Sequence, residues 1–315
     1  MKRALFKIER LCGLGLGYAV RPFQPLAVVA YRFLIWMSHS SERVSILTNP
    51  FLMEFGYAAF DGKPERWVTK HIVQGIKIRL DISEKTQRNI YFAKVYERDL
   101  TRFMLSRLRG QDTFIDVGAN VGYFTVLAGG LVGPGRVIAC EPEEKNYISL
   151  RENVSLNAYS NTTTLRTAVG GVDGVTTLHI NPLNRGGNSV LPFEAYHTGE
   201  HYFSKEYIQQ RYGALSQTVP LISIDTLVRT HHITDIALIK IDVEGFELSV
   251  IEGMKETLQN GITKYILCEL ANKDSRTKII SLLTQAGYEA CALTPNGEIA
   301  RSQCLGRDVL FVRVE

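Results

Sequence analysis

The chain has 315 residues, of which 45% are hydrophobic and 22% charged, and a formal net charge of +4. That length holds one large α/β domain with an additional segment, or two modest domains, and the composition excludes wholesale disorder. The charge is small and concentrated near the N-terminus, so it does not argue for nucleic acid as a partner. The five cysteines (Cys12, Cys140, Cys268, Cys291 and Cys304) are widely scattered and form no C-x-x-C pair. Such a set suits buried, reduced thiols in a cytoplasmic protein better than a disulfide frame or a zinc site.

The opening stretch, MKRALFKIERLCGLGLGYAVRPFQPLAVVAYRFLIWM, is basic and apolar, with Glu9 as its only carboxylate. Arg21, Pro22, Pro25 and Arg32 interrupt it, so no run approaches the roughly 18 apolar residues of a membrane span. No small-x-small cleavage site follows the apolar run cleanly, which argues against a signal peptide. Two readings stay open for residues 1–40: helices that pack on the main domain or a partner, or a segment lying on the inner face of an anionic membrane, with Lys2, Arg3, Lys7 and Arg10 toward the headgroups. Residues 1–66 are therefore set apart from a main domain over 67–315.

From Trp67 the texture changes. WVTKHIV and IKIRLDI flank Gly75 and predict a β-hairpin, and YFAKVYERDLTRFMLSRL has helical spacing. An alternation follows: strand TFIDV, helix VGYFTVLAGGLV, strand RVIACEP, helix EEKNYISLRENVSLN, then strands TTTLRTAVG and VTTLHI. Strand DIALIKIDV, helix ELSVIEGMKETLQN, strand KYILCEL and helix SRTKIISLLTQAG come next. YEACALT and DVLFVRVE, on either side of PNGE, close the chain as an antiparallel hairpin. Apolar strands alternating with helices predict a doubly wound α/β fold, with a mostly parallel seven-stranded sheet covered by helices on both faces. Residues 181–217 break the rhythm. A segment of that length in a compact domain serves as a binding loop, a lid or a disordered excursion, and its aromatic content argues against the last.

The turn FIDVGANVGYF, residues 114–124, occupies the first strand–turn–helix, the usual cradle for a ligand in an open parallel sheet. A phosphate-binding P-loop would need a lysine that nothing after Gly118 supplies. A dinucleotide fingerprint would need glycines where Asn120 and Tyr123 stand, so a nicotinamide oxidoreductase fits badly. S-adenosylmethionine (SAM) asks less of the turn. Asp116 and nearby carbonyls can accept from its ammonium, and Glu141, at the end of the next strand and 23 residues after Gly118, can accept from its ribose hydroxyls. The alternative use of Gly118 and Gly122 is tight strand–helix packing.

FIDVGANVGYFTVLAG, VIACEP, TAVG, VPLISIDTL and ALIKIDVEGFELSVIEGM, in this order, resemble the FkbM-type SAM-dependent methyltransferases from about Tyr96 to the C-terminus. The resemblance implies a class I methyltransferase fold and, in relatives, O-methylation of small molecules or sugars. It assigns Asp116, Gly118, Asn120 and Gly122 to the cofactor turn, Glu141 to the ribose and Ala168, within TAVG, to the cofactor. Asp242, Glu244 and Gly245 match the motif at the fourth strand. The N-terminal ninety-odd residues and the 181–217 insert depart from the pattern.

Methyl transfer to a hydroxyl is chiefly a matter of holding the oxygen against the methyl, helped by a base or by a metal. Asp242, at the end of a buried strand and on one face with Lys240, is a candidate catalytic group or a partner of that lysine. Glu244 and Gly245 are expected to shape the turn and cap the next helix. Glu269 ends the fifth strand, facing the ligand cleft, and is a second candidate catalytic group. Asp242, Glu269 and Asn272 could together hold Mg²⁺, although a metal is not the favoured reading. His197 and His201 in the insert are candidates for a base, or are simply solvated. Phe193, Tyr196, Tyr202, Phe203 and Tyr207 either form a stacking wall for the acceptor or anchor the insert. The expectation is a cytoplasmic methyltransferase acting on oxygen of a small molecule or glycan. N-methylation and a non-catalytic scaffold on the same fold are the alternatives, and nothing in the sequence sets the oligomeric state.

Overall fold

The computed structural model describes residues 65–93, 95–181, 184–192, 215–301 and 305–314, with 15–20, 24–38 and residues 12, 22, 55 and 59. Contacts divide the chain into two units, 1–70 with 79–96 and 71–78 with 97–315.

In the first unit, helix α1 (Gln24–Ser38) turns Ala27 and Tyr31 into a small core with Val20, Phe55 and Ala59. The Tyr31 ring stacks on Phe55 at 6.0 Å and meets Phe92 edge-on at 4.9 Å. Strands β1 (Trp67–His71) and β2 (Lys77–Asp81) pair as the expected ribbon around Gly75. The long helix predicted over residues 91–108 is instead two helices, α2 (Lys85–Phe92) and α3 (Arg98–Arg107). The break comes before Arg98, where Glu97 takes a left-handed φ of 37°, a conformation that cannot continue a right-handed helix.

The second unit is built on one sheet. Its strands are β3 (Thr113–Val117), β4 (Arg136–Cys140), β5 (Thr162–Leu165), β9 (Ile236–Ile241), β10 (Thr263–Glu269), β11 (Tyr288–Leu293), β12 (Ile299–Ala300) and β13 (Asp308–Arg313). They lie in the order β12-β11-β13-β10-β9-β3-β4-β5. Neighbours from β10 to β5 run parallel. The helices α4 (Tyr123–Leu131), α5 (Glu144–Leu156), α6 (Ile224–Thr230), α7 (Glu247–Glu252), α8 (Lys255–Gln259) and α9 (Lys273–Gln285) connect them. Every residue of β9 is buried, as a strand covered on both faces must be. Its apolar side chains join those of β3, β4, β10 and β13 in the main core.

The doubly wound fold stands as expected, with three local departures. The sheet has an eighth strand, because PNGE turns β11 into the two-residue β12, and β13 returns to lie antiparallel between β10 and β11. TAVG and VTTLHI leave the main sheet: β6 (Ala168–Val169) and β7 (Gly174–His179) flank β8 (Ser216–Ile222) in a separate three-stranded sheet. The single helix predicted over 247–260 breaks at Gly253 and Met254. A side chain at Gly253 would stand 2.1 Å from the Gly170 carbonyl oxygen, so the close approach of that backbone sets where α7 stops. Cys140, Cys268 and Cys291 are buried free thiols as anticipated, but Cys12 is exposed.

Candidate active site

The winding reverses between β3 and β9: from β3 the chain builds outward through β4 and β5, then crosses back to β9 on the other side. Ligands in open α/β sheets lie outside the carboxyl ends of the strands at such a point. Asp116, Glu141, Asp242 and Glu269 all come from the carboxyl ends of β3, β4, β9 and β10.

The turn after β3 is left-handed at Gly118 (φ 77°), Asn120 (φ 51°) and Gly122 (φ 88°). What needs the room of the two glycines is the protein itself. A Cβ on Gly118 would lie 1.9 Å from the Asp242 carbonyl oxygen, and one on Gly122 would lie 2.6 Å from Cδ1 of Leu150. Gly118 thus lets the β3 turn close against the end of β9, where the Asp242 amide donates to the Val117 carbonyl at 3.1 Å. The loop is tied on its other side to Glu141. Glu141 Oε2 accepts from the Asn120 amide at 2.8 Å, and Oε1 accepts from the Glu143 amide at 3.0 Å. Burial pushes the Glu141 carboxyl up to about 7, against the pull of those amides. Asn120 also folds its side chain back, Oδ1 accepting from the Val121 amide at 2.7 Å.

Asp116 is fully buried. Its Oδ2 accepts from Thr125 Oγ1 at 2.6 Å, and its Oδ1 faces Lys240 Nζ at 3.9 Å without a hydrogen bond. Lys240 donates to Asp242 Oδ2 at 3.1 Å and stands 5.5 Å from the centre of the Phe124 ring. The strand alternation that puts Lys240 and Asp242 on one face therefore also builds a line of charge, Asp116–Lys240–Asp242. Burial raises the Asp116 carboxyl. Burial alone would raise Asp242 too, but the Lys240 ammonium and a hydrogen bond shared with Glu269 hold it below its usual value. Lys240 stays protonated, since its two carboxylate neighbours outweigh the burial that would lower it.

Glu269 meets Asp242 and Glu244, with carboxylate oxygens within 4.8 Å of one another. Arg307 occupies the middle of this group, with its Nε 2.7 Å from Glu269 Oε1 and a guanidinium nitrogen 3.6 Å from Glu244 Oε2. Burial, Asp242 and Glu244 push Glu269 up to about 10, with Arg307 opposing. Its buried Oε2 has no donor while all the carboxyls are ionised. One proton on Glu269, shared with Asp242, satisfies that oxygen. A guanidinium already balances the group, and Asn272 is engaged in capping α9, accepting from the amides of Ser275 and Arg276. Of the set Asp242, Glu269 and Asn272, the two carboxylates converge, with Glu244 rather than Asn272 as the third oxygen donor, and Arg307 pairs with two of the three. The glutamate turn is as expected, with Glu244 at φ 51° and Gly245 at φ 101°. Glu244 is not the cap, however: Glu247 Oε1 accepts from the Gly245 amide at 2.9 Å.

Ala168 is buried at the start of β6, paired in register with Leu221. The described base of the insert is fastened beside the carboxyl ends. Ser189 Oγ donates to the Glu244 carbonyl at 2.7 Å, and Asn146 Nδ2 donates to the Arg185 carbonyl at 3.1 Å. His197, His201 and the aromatic cluster from Phe193 to Tyr207 lie outside the described residues. His231 and His232 sit before β9, at its amino end and away from these groups. Sequence reasoning missed Thr125 and Arg307. Thr125 is the third residue of α4, in the first turn of the helix that follows β3, a position that a strand–turn–helix reading could have flagged. Arg307 carries no local signal, because only the return of β13 beside β10 brings it to Glu269.

The sequence profile of the methyltransferase FkbM domain matches residues 116–290, more than half of the chain. The chain belongs to this family. Among similar proteins of the FkbM methyltransferase is methyltransferase sdnD of Sordaria araneosa, 25% identical over 198 residues, covering 59% of this chain and 76% of that one. Another is the hexuronic acid methyltransferase AglP of Haloferax volcanii, 25% identical over 190 residues, covering 60% and 69%. Among solved structures, SMU.1697c of Streptococcus mutans in complex with SAH is 10% identical with a TM-score of 0.40, covering 68% of this chain and 96% of that one. Precorrin-6y C5,15-methyltransferase of Geobacter metallireducens is 14% identical with a TM-score of 0.36, covering 68% and 85%.

Membership implies SAM as the methyl donor of this FkbM methyltransferase, and the residues present fit it. Glu141 spends one lone pair of each oxygen on an amide and keeps others for hydroxyl donors. Asp116 Oδ1 is a buried acceptor without a hydrogen bond at the same strand ends.

Proposed function

We propose that this FkbM methyltransferase transfers the methyl group of SAM to a hydroxyl oxygen of a small molecule or glycan. When bound, SAM supplies an electrophilic methyl on a sulfonium. Glu141 and the loop from Gly118 to Gly122 hold the cofactor in this reading, with Asp116 nearby as an acceptor. Asp242 supports the assignment to oxygen: it is a partly exposed carboxylate at the switch point, kept ionised by Lys240 at 3.1 Å. A carboxylate held low is a weak base toward a neutral alcohol. It is well suited to accept that alcohol's hydrogen bond, orient the oxygen and take the proton once methylation has made the oxygen strongly acidic. The protonated Glu269 and Arg307 keep the surrounding charge near balance. The insert, fastened by Ser189 and Asn146, is the element from which the acceptor would be contacted in this reading, and the name of AglP makes uronic acids the first acceptors to try.

The test is incubation of the purified full chain with methyl-labelled SAM and a panel of uronic acids, neutral sugars and amine analogues, followed by mass spectrometry and NMR of the product. Label on oxygen, with Asp242→Asn cutting turnover by about 10²–10⁴ and cofactor affinity by far less, is expected. Label on nitrogen alone, or undiminished turnover in the variant, would overturn the reading.

A further inference from the structure

Helix α1 is apolar on more than the face its own core uses. Ala27 and Tyr31 are buried, whereas Leu26, Val29 and Phe33 are 54, 63 and 57% exposed. At 100° per residue those three fall in one stripe about 60° wide, centred roughly 150° from the buried pair. Leu16 and Tyr18, at 45 and 49%, extend the exposed set. Among the described residues eleven large apolar side chains are exposed, and five of them fall between residues 16 and 33. A soluble helix normally turns polar side chains outward; one that is apolar nearly all round has a second apolar environment.

The charge of the same stretch says what that environment is. Lys2, Arg3, Lys7, Arg10, Arg21 and Arg32 stand in the first forty residues against Glu9 alone, and α1 has no acid in its first turn. An exposed apolar face in a stretch of sequence rich in cations and almost free of acid suits the headgroup–acyl boundary of a bilayer with negative lipids. A protein partner matched to so basic a stretch would have to be acidic as well as apolar, and a second copy would bring the same positive charge against itself. Among the described residues no helix is long and apolar enough to cross a membrane, and α1, at 15 residues, is shorter than the roughly 20 residues of a span, so this face would meet a bilayer from one side.

We propose that the Leu26–Val29–Phe33 face of α1, within a stretch of sequence rich in basic residues, is a docking surface for an anionic lipid bilayer. The surface holds the chain at the membrane without spanning it and is independent of which acceptor is methylated.

The test is co-sedimentation of the full chain with vesicles of phosphatidylcholine alone and of phosphatidylcholine with 30% phosphatidylglycerol, at low and high salt. Binding to the anionic vesicles is expected, much weaker on neutral ones and reduced by salt. L26D/V29D is expected to lower the partition coefficient about tenfold or more. Because both side chains are exposed, the variant should keep wild-type affinity for SAH, measured by calorimetry, which shows that it is folded. No vesicle binding by the wild type, or equal binding by the folded variant, would overturn the proposal. So would a concentration-dependent dimer that the same substitutions abolish while vesicle binding persists, since the face would then belong to a second copy.

Discussion

Lys240 Nζ lies 3.1 Å from Oδ2 of Asp242 and, on its other side, 3.9 Å from Oδ1 of the buried Asp116. One ammonium thus serves two carboxylates from adjacent parallel strands, β3 and β9, paired in register at Asp116 and Lys240. The partly exposed acid after β9 and the buried acid at the root of the β3 turn share a single counter-charge.

Replacing Lys240 with Met should therefore be costly for the fold as well as for turnover. The lysine and Asp116 side chains are 5 and 1% exposed, and removing one member of a buried pair typically costs about 3–5 kcal/mol. Urea unfolding of the variant measures it; stability within about 1 kcal/mol of wild type would mean the pair is not coupled as drawn.

Glu269 gives the protein a signed pH dependence. Its folded carboxyl, pushed up to about 10, keeps a proton that the unfolded chain releases near its ordinary value of 4.5. The stabilisation from that proton is whole below about 4.5 and is lost as pH rises toward 10. The slope from this group reaches about 1.4 kcal/mol per pH unit at most. Glu269→Gln, which can still accept from Arg307 and donate to Asp242, should flatten the wild-type decline between pH 7 and 9. Parallel stability curves for the two proteins would remove Glu269 as the source.

Glu141→Ala should weaken SAM or SAH binding by about 1–3 kcal/mol, through lost ribose hydrogen bonds and through release of the Asn120 and Glu143 amides. Calorimetry reads the change directly, and an unchanged dissociation constant would take Glu141 out of the cofactor site.

The two glycines of the turn should differ in tolerance. Both have left-handed φ, which costs a residue with a Cβ about 1–2 kcal/mol. At Gly118 the added methyl meets backbone, the Asp242 carbonyl at 1.9 Å, whereas at Gly122 it meets the movable end of Leu150 at 2.6 Å. Gly118→Ala should thus lower the melting temperature much further than Gly122→Ala, and L150A should recover part of the loss at Gly122 only. Equal losses would show that φ alone decides.

The parallel half of the fold was legible because it is local. Strands β3, β4, β9 and β10 are mostly apolar runs, and glycine or acidic residues mark their carboxyl ends. Asp116, Glu141, Asp242 and Glu269 could be named from those ends alone. What was missed depends on distant pairing. β8 carries Pro220, which lacks an amide and demotes the run as a strand, and yet it is the central strand of the small sheet, with Val175 opposite that proline. Arg307 reaches Glu269 only because β13 enters the sheet antiparallel to β10. The break at Gly253 depends on the backbone at Gly170, over eighty positions earlier, which no periodicity reports.

The slot taken by β13 has a consequence for how the molecule is made. β10 and β11 are not neighbours; each pairs with β13, the strand that comes last. A nascent chain that has emerged only as far as β11 holds a sheet with a strand-wide gap of about 5 Å spacings on either side, which nothing earlier in the sequence fills. Arg307 stands one residue before β13, so the strand that fills the gap also carries the guanidinium to Glu269. Closing the sheet and pairing Glu269 are thus one structural event, both carried by the strand that fills this slot.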